Sequence, residues 1–420
     1  MKFQNLSDKK IGIWGRGKEG LATFKALIKK TTPKDIIFIE EDNIQDIYTC
    51  DVLIKSPGIS IYREEIKKAK EKGIYCTTPT NLFFQNKKEK TKVLAVTGTK
   101  GKSTTSSLLY HTLKSLGFKV KLGGNIGIPL IELVDADTDY IVAELSSYQS
   151  ADLNGQIDIA ILTNLYHEHL QWHQTHEQYY LDKINMLNQS KISIINALQQ
   201  ESIQRTSHLK RLFFNDTEGY CFKDGFFYNK NEKLFPTDIL PLKGEHNLEN
   251  ASAVLTALNC LKINPRDAKE AFISFQALPH RLQILGEKEK ILYVDDSIST
   301  TPETSLAAVK AFDNNGFITL FIGGFDRQQD YTVLINFLKQ IKNRILLICL
   351  PDTGYSAFSL AQQEGIRAIK ATSIQEGVLI AKEQTPAGGI VILSPGAPSY
   401  NQYKNFEERG DDFKKNIFNE

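Results

Sequence analysis

The chain has 420 residues, 51 Lys and Arg against 49 Asp and Glu, a formal net charge of +2, and 41% hydrophobic residues. This predicts a globular protein of two or three domains, excludes the broad basic field of a nucleic-acid-binding protein, and, with no run of 18 apolar residues, predicts no membrane helix. Residues 1–6 turn polar at Ser7 without a secretory apolar core, and the five cysteines are scattered without metal spacing, so reduced thiols in a cytoplasm are expected.

Over residues 1–90 strand and helix patterns alternate, with strands at 10–14, 36–40 and 52–55 and helices at 18–30 and 63–72, the last stopped by Gly73. Gly15-Arg16-Gly17-Lys18-Glu19-Gly20 joins the first strand to the first helix as a dinucleotide-binding turn does. Glu40 ends the next strand, roughly 20 residues on, where an acid can hold a ribose hydroxyl. Alone this supports an NAD(P)-dependent oxidoreductase, although such a turn can cradle any diphosphate, including that of a UDP-sugar. The charged run Gln85-Asn86-Lys87-Lys88-Glu89-Lys90 is expected to link to a second domain.

From residue 91 the alternation restarts. A β-branched run ends at Thr97, and Gly98-Thr99-Lys100-Gly101-Lys102-Ser103-Thr104 leads into a helical pattern. Such a turn aims backbone N–H groups and a helix N-terminus at one point, where a phosphate chain binds. Lys102 would reach the terminal phosphates and Ser103 or Thr104 would offer a hydroxyl to Mg²⁺. The spacing departs from the standard phosphate loop, which needs a glycine where Val96 stands. A simple dehydrogenase has no use for this turn, so the oxidoreductase reading becomes secondary. Strands are expected at 140–143, 157–162 and 192–195, and helices at 177–187 and 248–261.

Glu144 follows a strand expected beside the phosphate strand and suits a hard cation. His167, His169, His173 and His176 crowd together after the strand 157–162, but Gln171 stands where a zinc-binding HExxH helix needs its second histidine. Most such clusters are surface residues; one at a strand's carboxyl end is the functional candidate. A third alternation begins near residue 279, with strands at 291–294, 318–322, 345–350 and 390–393 and helices at 302–312, 331–341 and 374–383. The expected fold is α/β with parallel sheets in three domains, over 1–90, 91–278 and 279–420.

Further motifs follow in order: Gly124-Asn125-Ile126-Gly127, Glu144-Leu145-Ser146-Ser147-Tyr148-Gln149, Gly244-Glu245-His246-Asn247-Leu248-Glu249-Asn250, Leu278-Pro279-His280-Arg281, Asp296-Ser297 and Ser394-Pro395-Gly396-Ala397-Pro398-Ser399. With them the chain resembles the Mur ligases of peptidoglycan synthesis throughout its length. Ser56-Pro57-Gly58-Ile59-Ser60 and Lys404-Asn405-Phe406-Glu407-Glu408-Arg409-Gly410 favour the glutamate-adding members. The resemblance implies an ATP-dependent ligase that adds glutamate to UDP-N-acetylmuramoyl-L-alanine through an acyl phosphate. D-glutamate is the first expectation and L-glutamate the alternative. Two Mg²⁺ ions and a monomeric chain are also implied, as are a Rossmann-like domain over 1–90 for the UDP moiety, a central P-loop ATPase over 91–278 and a Rossmann-like domain over 279–420 for glutamate.

By resemblance, Gly98, Thr99, Lys100, Gly101, Lys102, Ser103 and Thr104 hold ATP with Asn247, Asn250, Arg281 and Asp296. Ser103, Glu144, His169 and Lys183 hold metal, Lys183 after carbamylation, which turns a cation into an anionic oxygen ligand. Lys102, Lys183 and His169 are the implied catalytic set. Gly15, Gly17, Ser56, Asn125, Ser146 and Gln149 are implied for the UDP-substrate, and Thr300, Arg327, Ser399 and Phe406 for glutamate. This set argues against a nucleotide-binding scaffold without activity, and the full first domain argues against a folylpoly-γ-glutamate synthase.

Two segments depart from the family pattern. The usual Asp-Ser-Lys-Ala-Thr-Asn becomes Asp296-Ser297-Ile298-Ser299-Thr300-Thr301, which removes a cation near the incoming glutamate. Arg327 stands where some members use lysine, and arginine can clamp a carboxylate bidentately. A variant subfamily with a similar Ile-Ser-Thr-Thr-Pro segment is associated with L-glutamate. Glu40-Glu41-Asp42 replaces an expected Thr-Arg pair at the uracil, so uridine contacts should differ.

Overall fold

The computed structural model describes residues 1–166, 170–313 and 316–418. They form two compact units, Met1–Leu240 with Leu248–Phe275 and Pro241–Asn247 with Gln276–Glu420. Among the described residues no helix is long and apolar enough to cross a membrane.

The first unit holds two sheets. Strands β1 (Lys10–Trp14), β2 (Asp35–Ile39), β3 (Val52–Lys55) and β4 (Tyr75–Thr77) lie in the order β2-β1-β3-β4, all parallel. Alternate side chains of β1 and β3 are buried on opposite faces, as in a covered parallel sheet. Ile11, Ile13, Val52 and Ile54 join one core with Leu82 and Phe83. Trp14 and Leu53 pack on Ile66 and Ala69 of the helix Glu64–Glu71.

The helix Pro79–Asn86 carries Leu82 and Phe83. Thr78 accepts from the Asn81 N–H at 3.1 Å, and Pro79 sits in its first turn, a favourable start. The charged run at 85–90 therefore begins inside a helix rather than as a free linker.

The second sheet contains β5 (Lys92–Thr97), β6 (Val120–Gly124), β7 (Tyr140–Glu144), β8 (Ile157–Leu162), β9 (Ser190–Asn196), β10 (Arg211–Phe214), β11 (Tyr220–Lys223), β12 (Phe226–Asn229) and β13 (Glu232–Pro236). Its order is β13-β12-β11-β10-β9-β8-β5-β7-β6. Strands β5 to β10 pair in parallel, as expected. The extension β11-β12-β13 is antiparallel, which the parallel expectation does not include. Its physical cause is a tight hairpin: Asp224 and Gly225, at φ 48° and 77°, bridge β11 and β12 in the left-handed conformation that matches strand twist.

The second unit holds β14 (Gln283–Lys288), β15 (Ile291–Asp295), β16 (Ile318–Gly324), β17 (Ile345–Asp352), β18 (Ala368–Lys370) and β19 (Ile390–Leu393), in the order β14-β15-β19-β16-β17-β18. All pairs are parallel except β14 with β15. The helix expected over 331–341 stops at Leu338 and continues as a 3₁₀ segment, Lys339–Arg344, in which Ile341 leaves helical geometry. Helices Thr353–Gln363 and Phe406–Phe418 complete this unit beyond those expected.

Candidate active site

β5 lies between β7 and β8, with Val96 opposite Glu144 and Thr97 opposite Leu162. Three adjacent parallel strands therefore end together, where ligands of open α/β sheets bind. Gly98 leaves β5 at φ 148°, and Gly101, at φ 81°, precedes the helix Lys102–Ser115. A Cβ on Gly98 would lie 1.9 Å from Thr163 Oγ1, and one on Gly101 2.6 Å from Asn250 Oδ1. Only glycine fits at either position.

Residues that follow β8 hold the turn's shape. Thr163 Oγ1 donates to the Lys100 carbonyl at 2.6 Å, Lys100 N–H donates to Asn164 Oδ1 at 2.8 Å, and Thr99 N–H donates to the Asn164 carbonyl at 3.0 Å. Sequence reasoning did not identify Thr163 or Asn164; their position just past an apolar strand is the available signal. Ser103 and Thr104 lie in the helix's first turn, Ser103 buried.

Two lysines converge on this turn. Lys102 Nζ donates to the carbonyls of Gly98 and Thr99 at 3.0 and 2.9 Å. Lys183, on the helix His176–Asn188 and only 2% exposed, donates to the same Gly98 carbonyl at 2.7 Å. Tyr179, one turn before it, bonds Thr99 Oγ1 through its hydroxyl at 2.9 Å. Two ammonium groups at one carbonyl concentrate positive charge beside a helix N-terminus. A polyphosphate fits this arrangement, and so does converting one lysine to an anion.

Glu144 is fully buried at the end of β7 and accepts from Asn125 Nδ2 at 2.7 Å and Ser106 Oγ at 3.4 Å. Its oxygen chemistry and the nearby Ser103 suit Mg²⁺. Among the described residues no three His, Cys, Asp or Glu side chains gather as a metal site; His169, like His167, lies outside them. His173 is a buried tie, contrary to the surface role expected for most of the cluster. Its Nδ1 meets Asp182 Oδ2 at 2.5 Å and its Nε2 meets Ser147 Oγ at 2.9 Å, while Asp182 Oδ1 accepts from Tyr62 at 2.7 Å. This fastens the Lys183 helix to the segment after Glu144.

The residues expected at the UDP-substrate gather nearby in the same unit. Gly15, at φ 100°, has room for no Cβ because Ser56 Oγ would be 2.9 Å away. Ser146 and Gln149 form a reciprocal cap, and Gln149 Nε2 reaches Glu19 Oε1 at 3.5 Å. Lys18 Nζ donates to the Gly127 carbonyl at 2.6 Å, which brings the loop containing Asn125 alongside. A Cβ on Gly17 would meet nothing within 4 Å, so it forms an open rim. Burial pushes the Glu19 carboxyl up to about 7.

In the second unit Asn247 Nδ2 donates to the Lys243 carbonyl, and Arg281 N–H to the Leu278 carbonyl. Asp296 is buried, accepts from Leu282 N–H, Ser299 and Ser394, and is pushed up to about 7 by burial. Thr300, Arg327, Ser399 and Phe406 all follow the carboxyl ends of β15, β16 and β19. Phe325 N–H donates to the Pro398 carbonyl, and Ser297 Oγ to the Phe406 carbonyl at 2.8 Å. Arg409, 1% exposed and not picked out beforehand as a site residue, donates to the Ser297 and Ala397 carbonyls and locks these loops together.

Residues 96–258 match the model of the Mur ligase middle domain. The chain is 32% identical over 450 residues to the UDP-N-acetylmuramoyl-L-alanine–L-glutamate ligase of Xanthomonas campestris pv. campestris strain 8004, covering 98% of this chain and 96% of that one. Two solved structures share its fold. The UDP-N-acetylmuramate-alanine ligase MurC of Thermotoga maritima has a TM-score of 0.63 at 19% identity, covering 96% of this chain and 98% of that one. MurF ligase of the same organism, in complex with ADP, has a TM-score of 0.58 at 15% identity, covering 98% and 96%.

Proposed function

This chain belongs to the Mur ligase family, and we propose that it joins L-glutamate to UDP-N-acetylmuramoyl-L-alanine at the expense of ATP. The observation that carries the reading is the convergence of Lys102 and Lys183 on the Gly98 carbonyl, in a turn that admits only glycine at positions 98 and 101. In this reading residues 1–90 take the UDP moiety, 91–278 take ATP and the muramoyl end of the substrate, and 279–420 bring glutamate.

A carboxylate is a poor electrophile, so its oxygen first takes the γ-phosphoryl group, and the glutamate amine then displaces phosphate from the acyl phosphate. Carboxylate and triphosphate repel each other. Lys102 offsets that charge directly, and the Gly98–Ser103 backbone orients the phosphate chain. Ser103, Glu144, His169 and carbamylated Lys183 would hold Mg²⁺, which supplies Lewis-acid charge neutralisation when bound. Asn125, Ser146 and Gln149 would orient the muramoyl carboxylate.

L-glutamate is preferred over the first-expected D-isomer for two reasons. The relative is named for the L-isomer, and Ile298 and Arg327 alter the charge pattern at the segments assigned to the amino acid. The test is phosphate release with UDP-N-acetylmuramoyl-L-alanine, ATP and Mg²⁺, comparing the two glutamate isomers. Release with L-glutamate is expected. Release with only the D-isomer would reverse the stereochemistry, and release with neither would remove the ligase reading.

A further inference from the structure

Beside β3 and β4 lies a cavity of about 330 Å³, lined by Lys55, Lys70, Cys76, Asn81, Asp152 and Asn154 among others. That volume suits a small ligand. All these residues belong to the first unit, and none has a part in the ligase reading.

The cavity wall is fixed by satisfied amides. Asn81 Nδ2 donates to the Asp152 carbonyl at 2.9 Å, and Asn81 Oδ1 accepts from Asn154 N–H at 2.8 Å. The charged groups are not satisfied. Lys55 is 3% exposed and its Nζ has no hydrogen-bond partner; Asp152 Oδ2 stands 3.6 Å away, an ion-pair distance without a bond. Asp152 Oδ1 is also buried without a partner, as is Nε1 of Trp172, whose ring centre is 5.8 Å from Lys55 Nζ.

Burial pulls the Lys55 ammonium below its usual range and pushes the Asp152 carboxyl above its own, against their mutual attraction. Leaving buried polar groups unbonded is costly, and more so when they are charged. Of these, Lys55 and Asp152 line the cavity, and unsatisfied charged groups on one cavity wall point to a missing polar partner. Lys70, exposed on the lining, adds a second cation. Two ammonium groups facing one carboxylate complement a ligand with two carboxylates and one ammonium.

We propose that this cavity is a binding site for a small α-amino dicarboxylate, its carboxylates on Lys55 and Lys70 and its ammonium on Asp152. Lys55 adjoins Ser56 in the chain, and Asp152 closely follows the Ser146–Gln149 cap. A bound ligand therefore stiffens two segments flanking the UDP-substrate residues without touching the phosphate turn.

Calorimetric titration of the full chain with L-glutamate, L-aspartate and glutarate tests the site. Arg327→Ala serves as the background, because it weakens the amino-acid contact assigned to the second unit. In that background an amino dicarboxylate should still bind saturably, and glutarate, which has no ammonium, about tenfold more weakly. Adding Lys55→Met should lower affinity at least about tenfold. Asp152→Asn is the second variant, expected to weaken the amino dicarboxylates but not glutarate. No binding in the background, or identical isotherms with and without either substitution, would overturn the site. Because the readout is binding, it stands or falls separately from phosphate release.

Discussion

The first unit contains two strand–glycine–helix turns that look alike in sequence and differ in what their glycines make room for. At the end of β1, a Cβ on Gly20 would strike the Gly15 carbonyl at 1.9 Å, so that glycine lets helix and strand pack, and Gly17 stays open. The helix there already carries its own acid, Glu19, in the first turn. At the end of β5, Gly98 and Gly101 abut Thr163 and Asn250, the helix starts with Lys102 and Ser103, and Lys183 reaches in from another helix. One helix N-terminus is matched by a protein carboxylate and the other is surrounded by cations. In the proposed reading the second takes the several charges of a polyphosphate, and the first, packed more closely, takes a diphosphate at its rim.

The strongest way to break this contrast is Lys102→Ala, which should reduce phosphate release by on the order of 10²–10³ with thermal unfolding unchanged. Near-normal release from the folded variant would remove the turn's assigned role. Lys183→Ala should be similarly inactive, and short carboxylates such as acetate or formate should restore part of its rate if an anion is needed there. Full activity without them would exclude the carbamate.

Glu19 sharpens the contrast through pH. Its folded value, about 7, lies above the ordinary 4.5, so the unfolded chain loses this proton first as pH rises. Its contribution to stability is thus complete below about pH 4.5 and declines as pH climbs toward 7, by at most about 3 kcal/mol. Urea unfolding of Glu19→Gln should show a flatter pH profile than the parent; parallel profiles would contradict the buried carboxylate. Gly20→Ala should destabilise by about 1–3 kcal/mol through overpacking and weaken UDP-substrate binding more than ATP binding. Gly17→Ala should change stability by no more than about 0.5 kcal/mol, checked in the same unfolding experiment.

What was legible in the sequence was local. The β5 turn carries its chemistry in consecutive residues, so Gly98, Gly101, Lys102 and Ser103 can be assigned before any fold is known. Thr163 and Asn164 are marked in the sequence only by their place just past an apolar strand, and Tyr179 is set by helix docking that no spacing reports. His173 resembled a surface histidine because its burial against Asp182 and Ser147 depends on tertiary packing. The β11–β12 hairpin had a readable Asp224-Gly225 signal, overridden by the surrounding parallel pattern. The loops bearing Thr300, Arg327, Ser399 and Phe406 are linked by buried Arg409 and by side-chain bonds to backbone carbonyls across more than a hundred positions, for example Ser297 Oγ to the Phe406 carbonyl.

The most direct test follows oxygen. UDP-N-acetylmuramoyl-L-alanine labelled with ¹⁸O in its terminal carboxylate should transfer one labelled oxygen to each phosphate released, because that oxygen bridges carbon and phosphorus before the amine attacks. Unlabelled phosphate accompanying normal product would contradict carboxylate activation at the β5 turn.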